Sequence, residues 1–160
     1  MIEQLTLILD KLITLQKSLL HVSNRKMEAL KENDIDEINR LLKEELSHIR
    51  AMESLNARRE ELQEDISLTY QTPVTTFSEL LGIDSLPGKE NLREKHAELT
   101  ACTLRLKNQN ELNQDLLNQS LQFVNLSLDL VMGQQETGNY SQDPDDIQSM
   151  RTHSIFNSKA

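Results

Sequence analysis

The stretch that decides the fold is residues 89–132, KENLREKHAELTACTLRLKNQNELNQDLLNQSLQFVNLSLDLVM. It contains neither Gly nor Pro, the residues that interrupt helices most strongly, and the same is true of residues 1–72. All Gly and Pro residues fall in 73–88 or from Gly133 onward. This distribution predicts long helices on both sides of a connector. The helix over 89–132 has a predicted length of roughly 65 Å at 1.5 Å per residue.

Two apolar stripes follow this last helix when successive residues are placed 100° apart. The stripe that runs the whole length, here called the first stripe, is predicted to be the core-facing side. It comprises Leu92, Leu99, Leu106, Asn113, Leu117, Leu121, Val124, Leu128 and Val131. The second stripe lies more than 100° away and exists only in the C-terminal half. It comprises Leu112, Leu116, Phe123, Leu126 and Leu130.

An apolar arc of this width exceeds what one neighbouring helix covers. Two interpretations remain open at this point. In the structural one, the helix touches two neighbours in a three-helix bundle, or the chain dimerises. In the functional one, the second stripe lines a groove that receives an amphipathic helix of another protein.

Asn110 and Asn113 interrupt the apolar pattern one turn apart. Polar residues at core-facing positions of packed helices commonly fix the register of the helices at some cost in stability. We expect a hydrogen-bonded structural polar layer at these two residues.

The N-terminal half predicts two further helices, over residues 2–32 and 34–67. Leu5, Leu12 and Leu19 recur every seven residues in the first, and Ile35, Leu42 and Ile49 in the second. Asp34 is a predicted N-cap with Glu37 in capping-box position. The short junction at Asn33–Asp34 favours an antiparallel hairpin. Rising polarity from Asn56 to Asp65 predicts a solvated part of the second helix.

A short helix over 77–81 is predicted in the connector, because Thr76 and Glu79 have capping-box spacing and Gly82 follows as a stop. The predicted fold is therefore all-α, with three long helices and one short connector helix in a helical domain at 1–132. Residues 133–160 are rich in Gln, Ser, Asn and Asp. We expect them to form a mobile polar tail, because they offer little apolar surface to offset the ordering cost.

Composition narrows the classes of function. The chain has 160 residues and a net charge of −9, without a basic cluster, which disfavours nucleic acids and anionic membrane surfaces. No signal-peptide pattern and no apolar run long enough to span a bilayer are present. A single cysteine, Cys102, excludes an internal disulfide. These features predict a cytoplasmic protein without membrane insertion.

No pattern in the sequence predicts catalysis, a metal site or a cofactor. Glu45 and His48 have the Glu-x-x-His spacing of di-iron bundles, but His21 and His96 lack an acidic residue three positions earlier. There is also no Gly-rich phosphate loop and no nucleophile elbow. We therefore expect a binding protein, not an enzyme.

The pattern Asn110-x-x-Asn113-x-x-Leu116-Leu117-x-x-Ser120-Leu121-x-Phe123-Val124 resembles the last-helix signature of the FlgN-type flagellar export chaperones. Ala29-Leu30, followed by Asp34, Ile38 and Leu41, is similar to that family's first helix junction. The ending at residues 154–160, SIFNSKA, is similar to the short tail of Gram-positive members. The resemblance extends over essentially the whole chain.

The resemblance implies an elongated antiparallel helical bundle without a cofactor. The clients implied for this chain are the hook–filament junction proteins, bound through their C-terminal helices. The chaperone would keep these helices from associating early and deliver the clients to the type III export apparatus. The residues that it suggests for client binding are Leu112, Leu116, Leu117, Phe123, Leu126 and Leu130. It also implies docking on the export gate through the C-terminal region, for which Tyr140 is the candidate. The ATPase components of the export apparatus are implied as further partners.

The alternative function is a homodimeric coiled-coil structural adaptor without a delivery role. In that case a symmetric interface buries the second stripe completely. The export chaperone instead is monomeric or self-associates weakly and leaves this stripe partly exposed.

Overall fold

The computed structural model describes residues 1–138, with side chains through residue 133. It contains four helices, and none of the described residues lies in a strand. The helices are α1 (Ile2–Glu32), α2 (Ile35–Thr69), α3 (Phe77–Leu80) and α4 (Lys89–Gly138). The predicted all-helical class is confirmed. No helix within 1–138 is both long and apolar enough to cross a bilayer.

The chain divides into two compact units, and the boundary falls within α4. Unit 1 comprises Met1–Gln119 and contains α1, α2, α3 and the first part of α4. Unit 2 comprises Ser120–Ala160, of which the structure describes the remaining part of α4.

A two-residue turn joins α1 to α2. Asn33 has the left-handed conformation (φ 54°, ψ 34°), and the N–H of Asp34 donates to the carbonyl of Ala29 at 3.0 Å. This pattern terminates α1 and satisfies one of its last carbonyls. The carboxylate of Asp34 then accepts from the N–H of Glu37, so Asp34 is the N-cap of α2 as predicted. The side chain of Glu37 instead bonds Arg25 and Arg40.

The capping box of α3 forms as predicted. The Thr76 hydroxyl accepts from the N–H of Glu79, and the Glu79 carboxylate accepts from the N–H of Thr76. Gly82 follows, and its N–H donates to the Ser78 and Glu79 carbonyls. A Cβ at Gly82 would lie 3.0 Å from the Glu79 carbonyl oxygen, so the tight end of this helix favours glycine.

Contacts within unit 1 give the directions of the long helices. Ser18 and Lys26 of α1 meet His48 and Glu45 of α2, so these helices run antiparallel. The contacts of α1 with α4 advance in the same direction on both helices. The salt bridge of Asp10 with Lys95 comes first, and the hydrogen bond of Ser23 with Asn110 follows. The first part of α4 is therefore parallel to α1.

The main core of unit 1 lies where α1 begins, α2 ends and α4 begins. It consists of Leu5, Ile8, Leu9, Leu12, Leu62, Ile66, Phe77, Leu80, Ile83, Leu86 and Leu92. The solvated helix expected over Asn56–Asp65 is wrong in part, because Leu62 is only 1% exposed and Gln63 is also buried. The connector packs on this part of unit 1 and gives Leu62 apolar neighbours although the residues beside it in the sequence are polar.

A smaller core near the α1–α2 turn consists of Val22, Ala29 and Leu41, with Ile38 packed against it. The predicted core-facing residues of α2 in this region, Ile35, Leu42 and Ile49, are exposed instead. Leu41 and Leu42 are adjacent and therefore project about 100° apart on the helix. The heptad pattern correctly marked an apolar face, but α1 packs against the neighbouring side of α2.

The last helix continues to Gly138 instead of ending at Met132, and Gly133 lies within it. Glycine lowers helix propensity by about 1 kcal/mol relative to alanine but keeps its N–H, so a single glycine does not end a helix. The rest of the predicted tail lies outside the described residues.

Candidate functional site

The suggested client-binding residues in unit 1 lie on the last turns of α4 before Gln119. Leu112 and Leu117 are exposed, and Leu116 is half-buried. Leu116 and Leu112 are four residues apart and share one face of the helix. Unit 1 therefore presents two large apolar side chains to solvent on this part of α4.

Three suggested residues belong to unit 2, and all are exposed. Phe123 is 71% exposed, and Leu126 and Leu130 are exposed to a similar degree. Their spacing of three and four residues places them on one face of α4. Soluble proteins rarely leave so many neighbouring large apolar side chains in water unless another molecule covers them.

The first stripe is buried only in the early part of α4. Leu92 and Asn113 are buried, and Leu99 and Leu106 are half-buried. The prediction that this stripe is core along the whole helix is wrong from Leu117 onward. The exposed members are Leu117, Leu121, Val124, Leu128 and Val131. Periodicity identifies an apolar side of a helix but not whether another helix covers it.

Asn110 and Asn113 both contact Ser23 of α1. The amide of Asn113 donates to the Ser23 carbonyl at 2.8 Å and to the Ser23 hydroxyl at 3.0 Å. The Ser23 hydroxyl donates to the Asn110 carbonyl oxygen at 2.7 Å, and Gln109 donates to that of Asn113. Ser23 is fully buried and Asn113 is 4% exposed. These contacts support the proposal that the two asparagines form a structural polar layer.

The α1 side of this layer was not predicted from the sequence. No motif or spacing in the sequence distinguishes Ser23 from other polar residues of α1. A serine on the buried side of a helix nevertheless needs a hydrogen-bond partner. A second polar contact between α1 and α4, in which Gln16 donates to the Thr103 hydroxyl at 2.9 Å, was also missed. Ser23 and Gln16 find their partners through the packing of α4 on α1, and the local sequence pattern does not specify this packing.

The charge on this part of α4 has one sign. Residues 108–133 contain Glu111, Asp115 and Asp129 and neither Lys nor Arg. The exposed apolar side chains are therefore bordered by carboxylates and neutral polar groups. A helix that carries Lys or Arg beside its apolar face is complementary to this surface.

The residues once considered for a metal site have other partners. Glu45 forms a salt bridge with Lys26 at 2.7 Å, and His48 bonds the Ser18 hydroxyl and the Glu44 carbonyl. His96 stacks on Phe77 with ring centroids 4.7 Å apart. Within the described part of the chain, no group of His, Cys, Asp and Glu is arranged to hold a metal ion.

Comparison of the sequence with known proteins identifies a family. The sequence model of the family described as FlgN protein matches residues 1–144. The uncharacterized protein YvyG of Bacillus subtilis (strain 168) is 29% identical over 153 residues, which cover 95% of this chain and 94% of that protein. No solved structure matches the chain at a significant level. The family match extends over most of the sequence, and the chain therefore belongs to the FlgN family of flagellar export chaperones.

Proposed function

We propose that this chain is a substrate-specific type III export chaperone for the hook–filament junction proteins. It binds the C-terminal helical segments of these clients, prevents their premature association and delivers them to the export apparatus. Membership of the FlgN family supports the general role. The observation that carries the client-binding step is the exposed face of Phe123, Leu126 and Leu130.

The proposed binding mode is the docking of an amphipathic client helix on α4. Burial of one large apolar side chain contributes about 1.5–3 kcal/mol, so three that are already partly covered contribute together about 3–6 kcal/mol. Association costs about 4–15 kcal/mol in lost freedom of motion. One face is therefore too small for stable binding. The client must also cover other exposed leucines and valines of α4.

The exposed residues of the first stripe supply this additional surface. Leu121, Val124, Leu128 and Val131 lie in unit 2 and are all exposed. Together with Phe123, Leu126 and Leu130 they surround much of the helix, since the two stripes lie more than 100° apart. We infer that a client contacts both faces, either with two helical segments or with one segment that wraps around α4.

Delivery requires a second set of contacts, with the export gate and ATPase components of the flagellar apparatus in the cytoplasm. The candidate for this contact, Tyr140, lies outside the described residues. It remains a proposal that rests on the family resemblance. Weak self-association of the free chaperone is compatible with this function, whereas a tight homodimer that buries the α4 surface is not.

Calorimetric titration with peptides from the C-termini of hook–filament junction proteins tests the proposal. Phe123→Asp with Leu130→Asp places two charges on the proposed binding face. Gln122→Asp with Asn125→Asp is a matched control, because it adds the same charge on the polar face of the same part of α4. Since all four side chains are exposed, circular dichroism should show retained helicity in both variants.

We expect saturable binding by the wild type and the control, and a loss of at least about tenfold in affinity in the first variant, since each buried side chain contributes more than 1 kcal/mol. Equal binding by both variants would refute the location of the site. Absence of binding to every junction-protein peptide, together with a tight homodimer in sedimentation, would favour the structural adaptor instead.

A further inference from the structure

A short pattern, Leu-x-x-Asp-Leu, occurs twice in α4, once in each unit. It stands at residues 112–116 (LNQDL) of unit 1 and again fourteen residues later at residues 126–130 (LSLDL) of unit 2. Within each copy the Asp lies three residues after the first Leu and one residue before the second. These spacings place it about 60° and 100° away from the two leucines, in the same direction around the helix. Each copy therefore sets a carboxylate on the same edge of its pair of leucines.

The two carboxylates of this pattern have no cationic partner. Asp115 and Asp129 are exposed, and neither forms an ion pair with any residue of the described part of the chain. Residues 108–150 contain seven Asp and Glu residues and neither Lys nor Arg, so they contribute −7 to the net charge of −9. The negative charge of the chain is thus concentrated in the part of the sequence that carries the proposed client surface.

This charge narrows the class of molecule that can cover the exposed leucines. Nucleic acids and anionic membrane surfaces bear the same sign of charge as the carboxylates and are repelled. A second copy of the chain that docks through its own part of α4 brings no Lys or Arg to pair with Asp115 or Asp129. An amphipathic helix with Lys or Arg beside its apolar residues is complementary to both the leucines and the carboxylates.

We infer that Asp115 and Asp129 are specificity-determining residues of the client site, and that they select client helices with Lys or Arg along one edge of the apolar face. The inference rests on the proposed function and names the chemistry of the client helix. Burial of the leucines supplies most of the affinity, because an exposed ion pair contributes little to it. The carboxylates act instead on the choice of partner and on the rate of association.

Two synthetic helical peptides of about 18 residues, or five turns, test the inference. Both have the same composition and carry leucines at one face, at spacings of three and four residues. The edge peptide has its lysines next to the leucines along one edge, whereas the outer peptide has them on the side opposite the leucines. Since the peptides have equal net charge, the overall negative charge of the protein attracts them equally. Binding to the full-length protein is measured by fluorescence anisotropy at low ionic strength.

The wild type should bind the edge peptide about threefold to tenfold more tightly than the outer peptide, as expected for two exposed ion pairs. The preference should decrease with added salt, because salt screens exposed charges. Asp115→Asn with Asp129→Asn should remove the preference. Glu53→Gln with Glu64→Gln is the matched control and should keep it, since it removes two exposed carboxylates of α2 that also have no ion pair in the described residues.

A neutral substitution locates the peptide on the client site. Phe123→Gln with Leu130→Gln should weaken binding of the edge peptide at least about tenfold, because it removes apolar contacts without changing the charge. Both side chains are exposed, so circular dichroism should show retained helicity. Unlabelled junction-protein peptides should displace the edge peptide from the wild type.

The inference is overturned if the wild type binds the two peptides equally or does not bind the edge peptide, or if the preference survives in the Asn variant. Saturable binding of the junction-protein peptides in the same samples would show that the proposed function stands despite that result. Absence of their binding would instead refute the proposed function itself. A tight dimer in sedimentation that the Gln variant disrupts would also overturn the inference, because a second copy would then cover this surface.

Discussion

The side-chain amide of Asn113 on α4 donates two hydrogen bonds to Ser23 on α1, to the carbonyl oxygen at 2.8 Å and to the hydroxyl at 3.0 Å. Since both residues are buried, a shift of α4 by one turn would leave these polar groups without partners. This pair therefore favours one register of the two helices over its neighbours. Apolar contacts alone are less selective.

Asn113→Ala should lower the free energy of unfolding by about 1–3 kcal/mol, because the hydrogen bonds to Ser23 are lost and the buried hydroxyl keeps fewer partners. Urea unfolding monitored by circular dichroism measures the change. Asn118→Ala is the control, since Asn118 is exposed and accepts from the exposed Gln114, and its loss should change stability by less than about 0.5 kcal/mol. Equal effects of the two substitutions would contradict a structural role of the layer.

Leu62→Ala should destabilise unit 1 by about 2–5 kcal/mol, because it removes a fully buried side chain from the main core. Leu68→Ala, six residues later on the same helix, removes a side chain that is 72% exposed and should be nearly neutral. Urea unfolding of both variants measures the two changes in the free energy of unfolding and shows whether the burial of the leucine decides the effect. A small effect at Leu62 would mean that the stretch from Asn56 to Asp65 is solvated after all.

Hydrogen bonds from the Thr75 hydroxyl, and from the N–H groups of Thr75 and Thr76, lower the pKa of Glu79 from 4.5 to about 2. A lowered pKa in the folded state means that ionised Glu79 stabilises the fold above about pH 4.5. This contribution decreases as the pH falls toward 2. The stability difference between the wild type and Glu79→Gln, measured by urea unfolding, should therefore shrink over this interval. A difference independent of pH would show that the carboxylate charge has no part in the capping box.

Substitution on the first stripe of unit 2 should also weaken client binding. Leu121→Asp with Leu128→Asp is expected to reduce the affinity for junction-protein peptides by at least about tenfold, because one face of α4 buries too little area to offset the cost of association. Calorimetry at equal peptide concentration measures the effect. Unchanged affinity would mean that the client contacts the face of Phe123 and Leu130 only.

Local signals in the sequence predicted the helices well. The absence of Gly and Pro, the cap at Asp34 and the box of Thr76 with Glu79 act over a few residues, and each formed near its expected place. The helix ends differed where a weak signal was treated as a stop. Gly133 is the example, because it lowers helix propensity without removing a hydrogen-bond donor.

The partners of each helix face were not predictable in the same way. Leu42 and Leu121 lie on apolar faces that the sequence marked as core, yet both are exposed. Leu62 lies in a polar stretch and is buried, because the connector folds over it. Burial depends on which elements meet in three dimensions, which the periodicity of a single helix does not specify.

The tight turn at Asn33 and Asp34 also bears on where evolution and protein engineering can change the length of this chain. Asn33 ends α1 in the left-handed conformation, and the next residue, Asp34, is the N-cap of α2. Both residues of the turn are therefore needed to end one helix and begin the next. An inserted residue would separate the two caps and disturb the hydrogen bond from Asp34 to Ala29. Residues 71–75 also belong to no helix, but the N–H groups of Thr72 and Val74 donate to Ser67 and that of Thr75 donates to Glu79, so an insertion there would disturb the connector as well.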